Sequence, residues 1–330
     1  MTNERKFLIL GGGSMGKRRI RCLQAFDVAA QQIQVFDWRA DRRQECETLY
    51  GVTAVSSFEQ GMAWAPDVVI VSLPTKLHMK YCLAAARAGK DFWCEIGLSD
   101  RLDETVDLLS LVKQNKLVVG IGLNNPYHYG LQQAKKWLPD FGPLLSYSIT
   151  IGNYLPNWHP WEDYRDFYDE TQIMGVVAQE LGTLYTLLDT RLSELYGQLY
   201  QLTALEIPGP DLVQLLGKTV DGTAVSLHID LMQDRHPYEY RLISEKGVIE
   251  VSFMPDVYAR YYSNATKEMA EVPPPAGYTF EQCYHDEFEA FLDALESRSS
   301  WYHPLEDAVQ IVSCLQGLEE SSRTGCKVTV

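Results

Sequence analysis

KFLILGGGSMGKRR, residues 6–19, decides how the rest of the chain is read. Its first half is a short apolar run, which suits a strand buried on both faces of a parallel sheet. Its second half, Gly11-Gly12-Gly13-Ser14-Met15-Gly16, has the spacing G-x-G-x-x-G, and Met15, Ile20, Leu23 and Phe26 then recur as one face of a helix. Strand, glycine turn and helix together give the spacing its meaning. Gly11 permits the tight turn, Gly13 lets a diphosphate approach the backbone, and Gly16 lets helix and strand pack closely. Ser14 and Met15 complete the loop at the helix start, whose free N–H groups and positive dipole end suit an anion. A second strand, IQVFD (33–37), ends on Asp37, 21 residues beyond Gly16. A carboxylate at that distance accepts hydrogen bonds from an adenosine ribose, with Trp38 and Arg39 beside it. Asp37 favours NAD. Arg39, Arg42 and Arg43, with Lys17, Arg18 and Arg19, suit phosphate, so NADP stays open.

Outward from this stretch the alternation continues. Residues 40–50 read as helix, VTAV (52–55) as a third strand, DVVIVSLP (67–74) as the strongest strand, 76–88 as helix, DFWCE (91–95) as strand, 102–115 as helix and LVVGIGL (117–123) as strand. Strands alternating with helices mean βαβ units and a parallel sheet with right-handed crossovers. After Asn124 the pattern changes. A helix near 127–138 precedes an alternating strand at 144–155, a helix near 173–189 follows, and strands are expected at 198–206, 211–219, 222–231, 238–244 and 247–253. Turns fall at Asp221-Gly222 and Lys246-Gly247. Two helices, near 280–296 and 304–322, and a short strand in KVTV close the chain. The expected fold class is α/β. A dinucleotide-binding domain of parallel strands covers 1–124, and an α+β domain with a large open, mainly antiparallel sheet covers 125–330, its last helix free to pack back on the first domain.

Composition narrows the functions. At 330 residues the chain is long enough for two domains, and a net charge of −15 argues against nucleic acid or an anionic membrane surface. Seven cysteines with no C-x-x-C pair read as reduced thiols, and no zinc spacing occurs, so no metal is expected. The start, MTNERKFLILGGG, is no signal peptide, and no apolar run approaches the ~18 residues of a membrane span. A soluble, cytoplasmic protein is expected.

SLPTKLHMKYCLAAARAGKDFWCE (72–95) and HPLEDAVQIVSCLQGLEESSRTGCKVTV (303–330) carry a resemblance that spans the chain. The chain resembles the Gfo/Idh/MocA oxidoreductases, mostly sugar dehydrogenases and reductases. The resemblance implies an NAD(P)-dependent oxidoreductase acting on a carbohydrate. It also implies that Leu73, Pro74, Thr75 and His78 lie beside the cofactor and Glu95 near the nicotinamide ribose. A homodimer or homotetramer through the second domain's sheet is implied as well.

The departures from that family are as informative. Its Glu-Lys-Pro motif reads Glu95-Ile96-Gly97 here, and isoleucine cannot stabilise a developing alkoxide as a lysine does. Its helical Asp and, four residues on, His correspond to Gln179 and Thr183, or to a register in which Glu180 enters. Groups that replace them are sought in NYLPNWHPWEDYRDFY (153–168), six of whose sixteen residues are aromatic. His159 and Tyr164 are the expected proton donors or acceptors. Trp158, Trp161 and Arg165 are expected to hold substrate, with Tyr127, His128, Gln179 and Thr183. The aromatic stretch is similar to one in family members of surface-polysaccharide sugar synthesis, which implies a phosphorylated or nucleotide-linked sugar. Two alternatives stand beside this reading: a catalytically altered member that binds nucleotide or sugar, and a reductase of an imine or a conjugated double bond.

Overall fold

Short apolar runs in the first 124 residues become the strands of a six-stranded parallel sheet in a computed structural model, which describes residues 4–158, 163–169, 171–299 and 304–330. The strands are β1 (Phe7–Leu10), β2 (Ile33–Phe36), β3 (Thr53–Val55), β4 (Val68–Val71), β5 (Asp91–Cys94) and β6 (Val119–Ile121). Their order is β3-β2-β1-β4-β5-β6, and every pair is parallel. Helices α1 (Ser14–Ala25), α2 (Ala40–Tyr50), α3 (Phe58–Ala63), α4 (His78–Arg87) and α5 (Leu102–Asn115) make the connections. The strand order reverses between β1 and β4, and ligands of such sheets bind at the carboxyl ends of the strands at that reversal.

The β1 strand shows why the run is continuous rather than alternating. Phe7 and Ile9 pack on one side with Ile20 and Leu23 of α1, and Leu8 and Leu10 on the other with Cys82 and Ala85 of α4. Both faces are covered, so every residue is apolar. The compact unit that contains this sheet comprises residues 1–124 and 284–309. It therefore includes most of helix α9 (Glu281–Ser297), whose Phe288 and Phe291 meet the Trp93 ring edge-on at 5.4 and 5.1 Å.

The second unit, residues 125–283 and 310–330, is built on a nine-stranded sheet. Its elements are α6 (Tyr129–Phe141), β7 (Leu144–Gly152), α7 (Tyr164–Phe167), α8 (Gln172–Leu188), β8 (Leu192–Tyr200), β9 (Leu212–Thr219), β10 (Ala224–Asp230), β11 (Tyr238–Ser244), β12 (Gly247–Met254), β13 (Tyr258–Ser263), β14 (Met269–Val272), α10 (Leu305–Thr324) and β15 (Val328–Thr329). The order is β14-β13-β12-β11-β7-β10-β9-β8-β15. Pairing is antiparallel except between β7 and β10. One face is apolar: Tyr147, Ile149 and Ile151 of β7 alternate inward, as do Val225, Leu227 and Ile229 of β10.

Three expectations need correction. The strand placed at 198–206 lies at 192–200, because a bulge between Leu192 and Glu194 puts Leu192 and Leu195 both inward and breaks the period of two. Strands β13 and β14 and helix α3 were not expected. The two strands stand at the sheet's edge, and Ala259 is their one buried residue, which leaves little apolar signal. Helix α3 is only six residues long.

Candidate functional site

The glycine turn has the geometry its spacing demands. Gly11 adopts φ +100°, and a Cβ there would stand 2.4 Å from the Ser72 carbonyl oxygen. A Cβ at Gly16 would stand 1.8 Å from the Gly11 oxygen, so only glycine lets α1 start this close to β1. Gly13 is the N-cap residue of α1, no side chain caps the helix, and its first turn holds no acidic residue. The first amides of α1 are thus left without a side-chain acceptor, and a diphosphate fits that donor set.

Asp37 lies just after β2, directly beneath this turn. It is 1% exposed; Oδ2 accepts from the Gly12 amide at 2.8 Å and Oδ1 from the Arg39 amide at 2.8 Å. The Arg42 guanidinium lies 3.9 Å from Oδ2 and 3.5 Å from where a Gly13 Cβ would be. Arg39 is paired with Asp41, and Arg43 donates to the Asp37 and Trp38 carbonyls. Asp37 thus ties the turn to the end of β2 with one amide on each oxygen, and beside it stand the Trp38 ring, 51% exposed, and the half-buried Arg42. Sequence reasoning picked Asp37 and Trp38 but gave Arg42 no separate place.

At the ends of β4 and β5, Leu73 is buried, Thr75 half-buried and Pro74 exposed. His78 is buried, with Nε2 2.7 Å from the Leu73 oxygen and Nδ1 3.0 Å from the Gly97 oxygen. It ties the loop after β4 to the loop after β5. Burial lowers its pKa against the pull of the two carbonyls. Glu95 accepts both Nε and Nη2 of Arg19, at 2.7 and 2.8 Å, and Trp93 Nε1 at 3.1 Å. Burial raises the Glu95 carboxyl, and the Arg19 guanidinium outweighs it, holding the pKa below the usual carboxylate range. Arg19 also donates to Glu287 of α9 at 3.2 Å, and the Leu123 amide donates to the other Glu287 oxygen. Burial pushes Glu287 up to about 7 despite Arg19. Ile96, half-buried, brings no charge to this end of the sheet.

In the second unit the polar centre is Glu180 of α8. It is 0% exposed; Oε1 accepts from Tyr238 at 2.5 Å and Asn125 Nδ2 at 2.9 Å, and Oε2 from Tyr240 at 2.8 Å. Gln179 Nε2 donates to Asn125 Oδ1 at 2.8 Å, so Gln179 orients the asparagine rather than standing alone. Burial raises the Glu180 carboxyl to about 7, the phenols and the amide only partly opposing it. Thr183 is buried and its hydroxyl donates to the Gln179 carbonyl within the helix. His128 caps α6, accepting from the Gly130 amide at 3.1 Å, and stacks on Phe253 at 3.7 Å; burial depresses it to about 3. Tyr127 lies in the short turn before it, half-buried.

The aromatic stretch is only partly described: His159 and Trp161 lie outside the described residues. The Trp158 indole N–H finds no partner among the described residues. Tyr164 accepts from the Glu206 amide at 3.3 Å and lines a cavity of about 390 Å³ with Tyr154, Pro156 and Met232. Arg165 is exposed and bound to Asp163 and Glu206. Asn125, Tyr238 and Tyr240 escaped sequence reasoning. The available signal was Glu180 itself, the one charged residue in the apolar helix QIMGVVAQELGTLYTLL, and the Tyr-Glu-Tyr alternation that sets two phenols on one face of β11. Among the described residues no cluster of His, Cys, Asp and Glu fits a metal ion, and no helix is long and apolar enough to cross a membrane.

Residues 5–123 match the model of an oxidoreductase family with an NAD-binding Rossmann fold, Gfo/Idh/MocA. Over this domain the chain is similar to the Gfo/Idh/MocA oxidoreductases. The NAD-binding fold of that model agrees with the dinucleotide cofactor read from the glycine turn. The chain is 24% identical over 186 residues to inositol 2-dehydrogenase 3 of Saccharopolyspora erythraea, covering 55% of this chain and 53% of that one. It is 26% identical over 168 residues to levoglucosan dehydrogenase of Pseudarthrobacter phenanthrenivorans, covering 46% and 40%. It thus spans about half the length of the curated relatives it matches. Among solved structures, myo-inositol 2-dehydrogenase from Lactobacillus plantarum superposes with a TM-score of 0.82 at 16% identity over 99% of both chains. A levoglucosan dehydrogenase complex with NADH and levoglucosan gives 0.83 at 18%, also over 99% of both chains. At these identities the superpositions show the fold, a Rossmann domain with a second unit on a large, mainly antiparallel sheet.

Proposed function

We propose that this protein is an NAD(H)-dependent dehydrogenase of a small polyol or sugar. The observation that carries the reading is the Gly11–Gly16 turn, which leaves the first amides of α1 open where a diphosphate would sit. Bound there, the cofactor supplies the hydride chemistry, and the protein's task is placement and a proton route. Leu73, Pro74 and Thr75, on the loop that His78 holds, are the residues for the nicotinamide side, with Ser14, Met15, Glu95 and Ile96. Asp37, Trp38 and Arg39 are those for adenosine, with Arg42 beside them. His159 and Tyr164 remain candidates for moving a proton, and Tyr127, His128, Trp158, Trp161, Arg165, Gln179 and Thr183 for the substrate side.

Inositol and levoglucosan, the substrates in the relatives' names, favour an unphosphorylated ring with several hydroxyls. A phosphorylated or nucleotide-linked sugar of surface-polysaccharide synthesis is the narrower option. Arg165 is its best anchor, although Asp163 and Glu206 already hold that guanidinium. Ile96, where the family motif has lysine, favours a second reading: a member that binds its cofactor but reduces an imine or a conjugated double bond, or turns nothing over. We place self-association at the outer face of the nine-stranded sheet, where Tyr196 pairs with Leu216 and both are exposed.

The test is a panel of myo-inositol, levoglucosan and UDP-N-acetylglucosamine, each with NAD+ and NADP+. Appearance of reduced cofactor with either of the first two supports the reading. Reduction only with the nucleotide sugar selects the narrower option. Saturable NADH binding with no turnover of any of them selects the second reading.

A further inference from the structure

Two carboxyl groups share one buried cation at the carboxyl ends of β5 and β6. Glu95 follows β5, and Glu287 of α9 accepts the Leu123 amide just after β6. Arg19 of α1 joins them: Nε and Nη2 donate to the two Glu95 oxygens at 2.7 and 2.8 Å, and Nη1 and Nη2 both donate to Glu287 Oε2 at 3.2 Å. Arg19 and Glu287 are buried, and the Glu95 side chain is 12% exposed. All three lie in the compact unit of residues 1–124 and 284–309. Among the described residues Arg19 is the one cation paired with either carboxyl. With both carboxyls ionised the cluster therefore carries a net charge of −1 in the interior, which burial opposes and one proton removes.

The bonds decide which carboxyl takes that proton. Glu95 receives the short, two-oxygen fork of Arg19 and also accepts from Trp93 Nε1 at 3.1 Å and Ser72 Oγ at 3.3 Å. Glu287 receives Arg19 on one oxygen only, at longer range, and titrates near 7. The other groups at the cluster do not replace the missing cation. Cys22 of α1 acts on Arg19, and Tyr284 of α9 is a phenol raised by burial to about 12; neither is a cation. Arg18 stands 4.0 Å over the Tyr284 ring and acts on that phenol. His78 of α4 acts on Glu95, and burial holds its own pKa low.

Strand order says what such a cluster can sense. With the diphosphate at the turn after β1 and adenosine on the β2 side, the second nucleoside of the cofactor falls on the β4–β5 side of the reversal, the side that holds Glu95 and Ser72. The nicotinamide ring of NAD+ is a cation, and that of NADH is neutral. A positive ring on this side favours the ionised cluster, and by reciprocity the ionised cluster favours the positive ring.

We propose that Glu287 is a positioning residue that sets the preference between oxidised and reduced cofactor, giving up its proton to water when NAD+ binds and keeping it when NADH binds. The inference rests on the NAD(H)-dependent reading above. A ligand that lowers the pKa of a group gains affinity as pH rises through that group's free value, so NAD+ binding tightens across pH 7 while NADH binding does not. When hydride transfer neutralises the ring, the cluster takes its proton back from water.

Calorimetric titration of NAD+ and of NADH at pH 6 and pH 8 tests this without turnover. The NAD+ Kd of the wild type should fall by about threefold or more from pH 6 to pH 8 while the NADH Kd stays flat, and Glu287→Gln should bind both forms without that difference. At pH 7 the binding heat of NAD+ should vary with the ionisation enthalpy of the buffer, reporting a released proton, and that of NADH should not. In infrared difference spectra a carboxylic-acid band missing from Glu287→Gln should bleach on adding NAD+ and persist on adding NADH. Equal pH dependence for the two cofactor forms, or a difference that survives in Glu287→Gln, overturns the proposal and leaves the cofactor site standing. If Glu287→Gln fails to fold, the wild type decides: no proton released with NAD+ and no bleached acid band overturn it equally. A wild type that binds neither NAD+ nor NADH is a separate outcome and removes the cofactor reading together with this inference.

Discussion

Arg42 is one residue whose removal separates two roles at the adenosine end. Its guanidinium lies 3.9 Å from Asp37, each of whose oxygens accepts one backbone amide, from Gly12 and from Arg39. A cation in that position suits a 2′-phosphate, and one charge-assisted hydrogen bond is worth roughly 1.5–3 kcal/mol. Arg42→Ala should therefore weaken NADPH relative to NADH by about tenfold or more in a fluorescence titration; an unchanged ratio would remove Arg42 from cofactor choice. The glycines were legible in the sequence because their constraint is steric and local: Gly16 cannot carry a Cβ 1.8 Å from an oxygen. The orientation of Asp37 was not legible. A carboxylate after β2 has several lone pairs, and that two of them accept the Gly12 and Arg39 amides is set by the folded turn.

Helix α1 depends on a charge arrangement that no local pattern announces. Arg19 is buried between Glu95 after β5 and Glu287 of α9, residues 76 and 268 positions away in sequence. Removing one partner of such a cluster strands the others, so Arg19→Met should cost about 3–5 kcal/mol in denaturant unfolding. Arg19→Lys, which keeps the charge but not the fork, should recover only part of it. A loss under 1 kcal/mol for Arg19→Met would show that the cluster is solvated. At this scale the parallel strands were readable because burial on both faces makes them uniformly apolar. Strand β8 slid by six residues because its bulge breaks alternation, and β13 and β14 went unread because edge strands bury too little to leave a pattern.

Across the whole molecule the two raised carboxyls set a pH dependence. Glu180 and Glu287 ionise near 7 in the folded chain and near 4.5 when unfolded. Between those values the folded state holds protons that the unfolded state has released, so these groups favour folding at low pH and lose that advantage as pH rises to 7. Each shift corresponds to roughly 3 kcal/mol. The stability of Glu287→Gln relative to wild type should therefore improve by up to that amount from pH 4.5 to pH 8. A pH-independent difference would mean that Glu287 is ionised throughout. The outer sheet face makes a separate prediction. If the proposed outer-face interface holds, the wild type should sediment as an oligomer and Leu216→Asp should shift it toward monomer; a monomeric wild type or an unchanged assembly would remove that interface. The two-part architecture was legible from the change of period after Asn124. The Glu180 centre was not, because it gathers residues 125, 180, 238 and 240 from separate elements.

The account rests on the glycine turn as the seat of the dinucleotide, and Gly13→Val tests it most directly. A Cβ at Gly13 would meet only the flexible tip of Arg42, at 3.5 Å, so the variant should fold with an unchanged melting temperature. NADH titrated into both proteins should bind the wild type saturably and the variant at least about 100-fold more weakly, because the valine side chain occupies the diphosphate's approach to the α1 amides. Equal NADH affinity in a folded Gly13→Val protein would contradict the account.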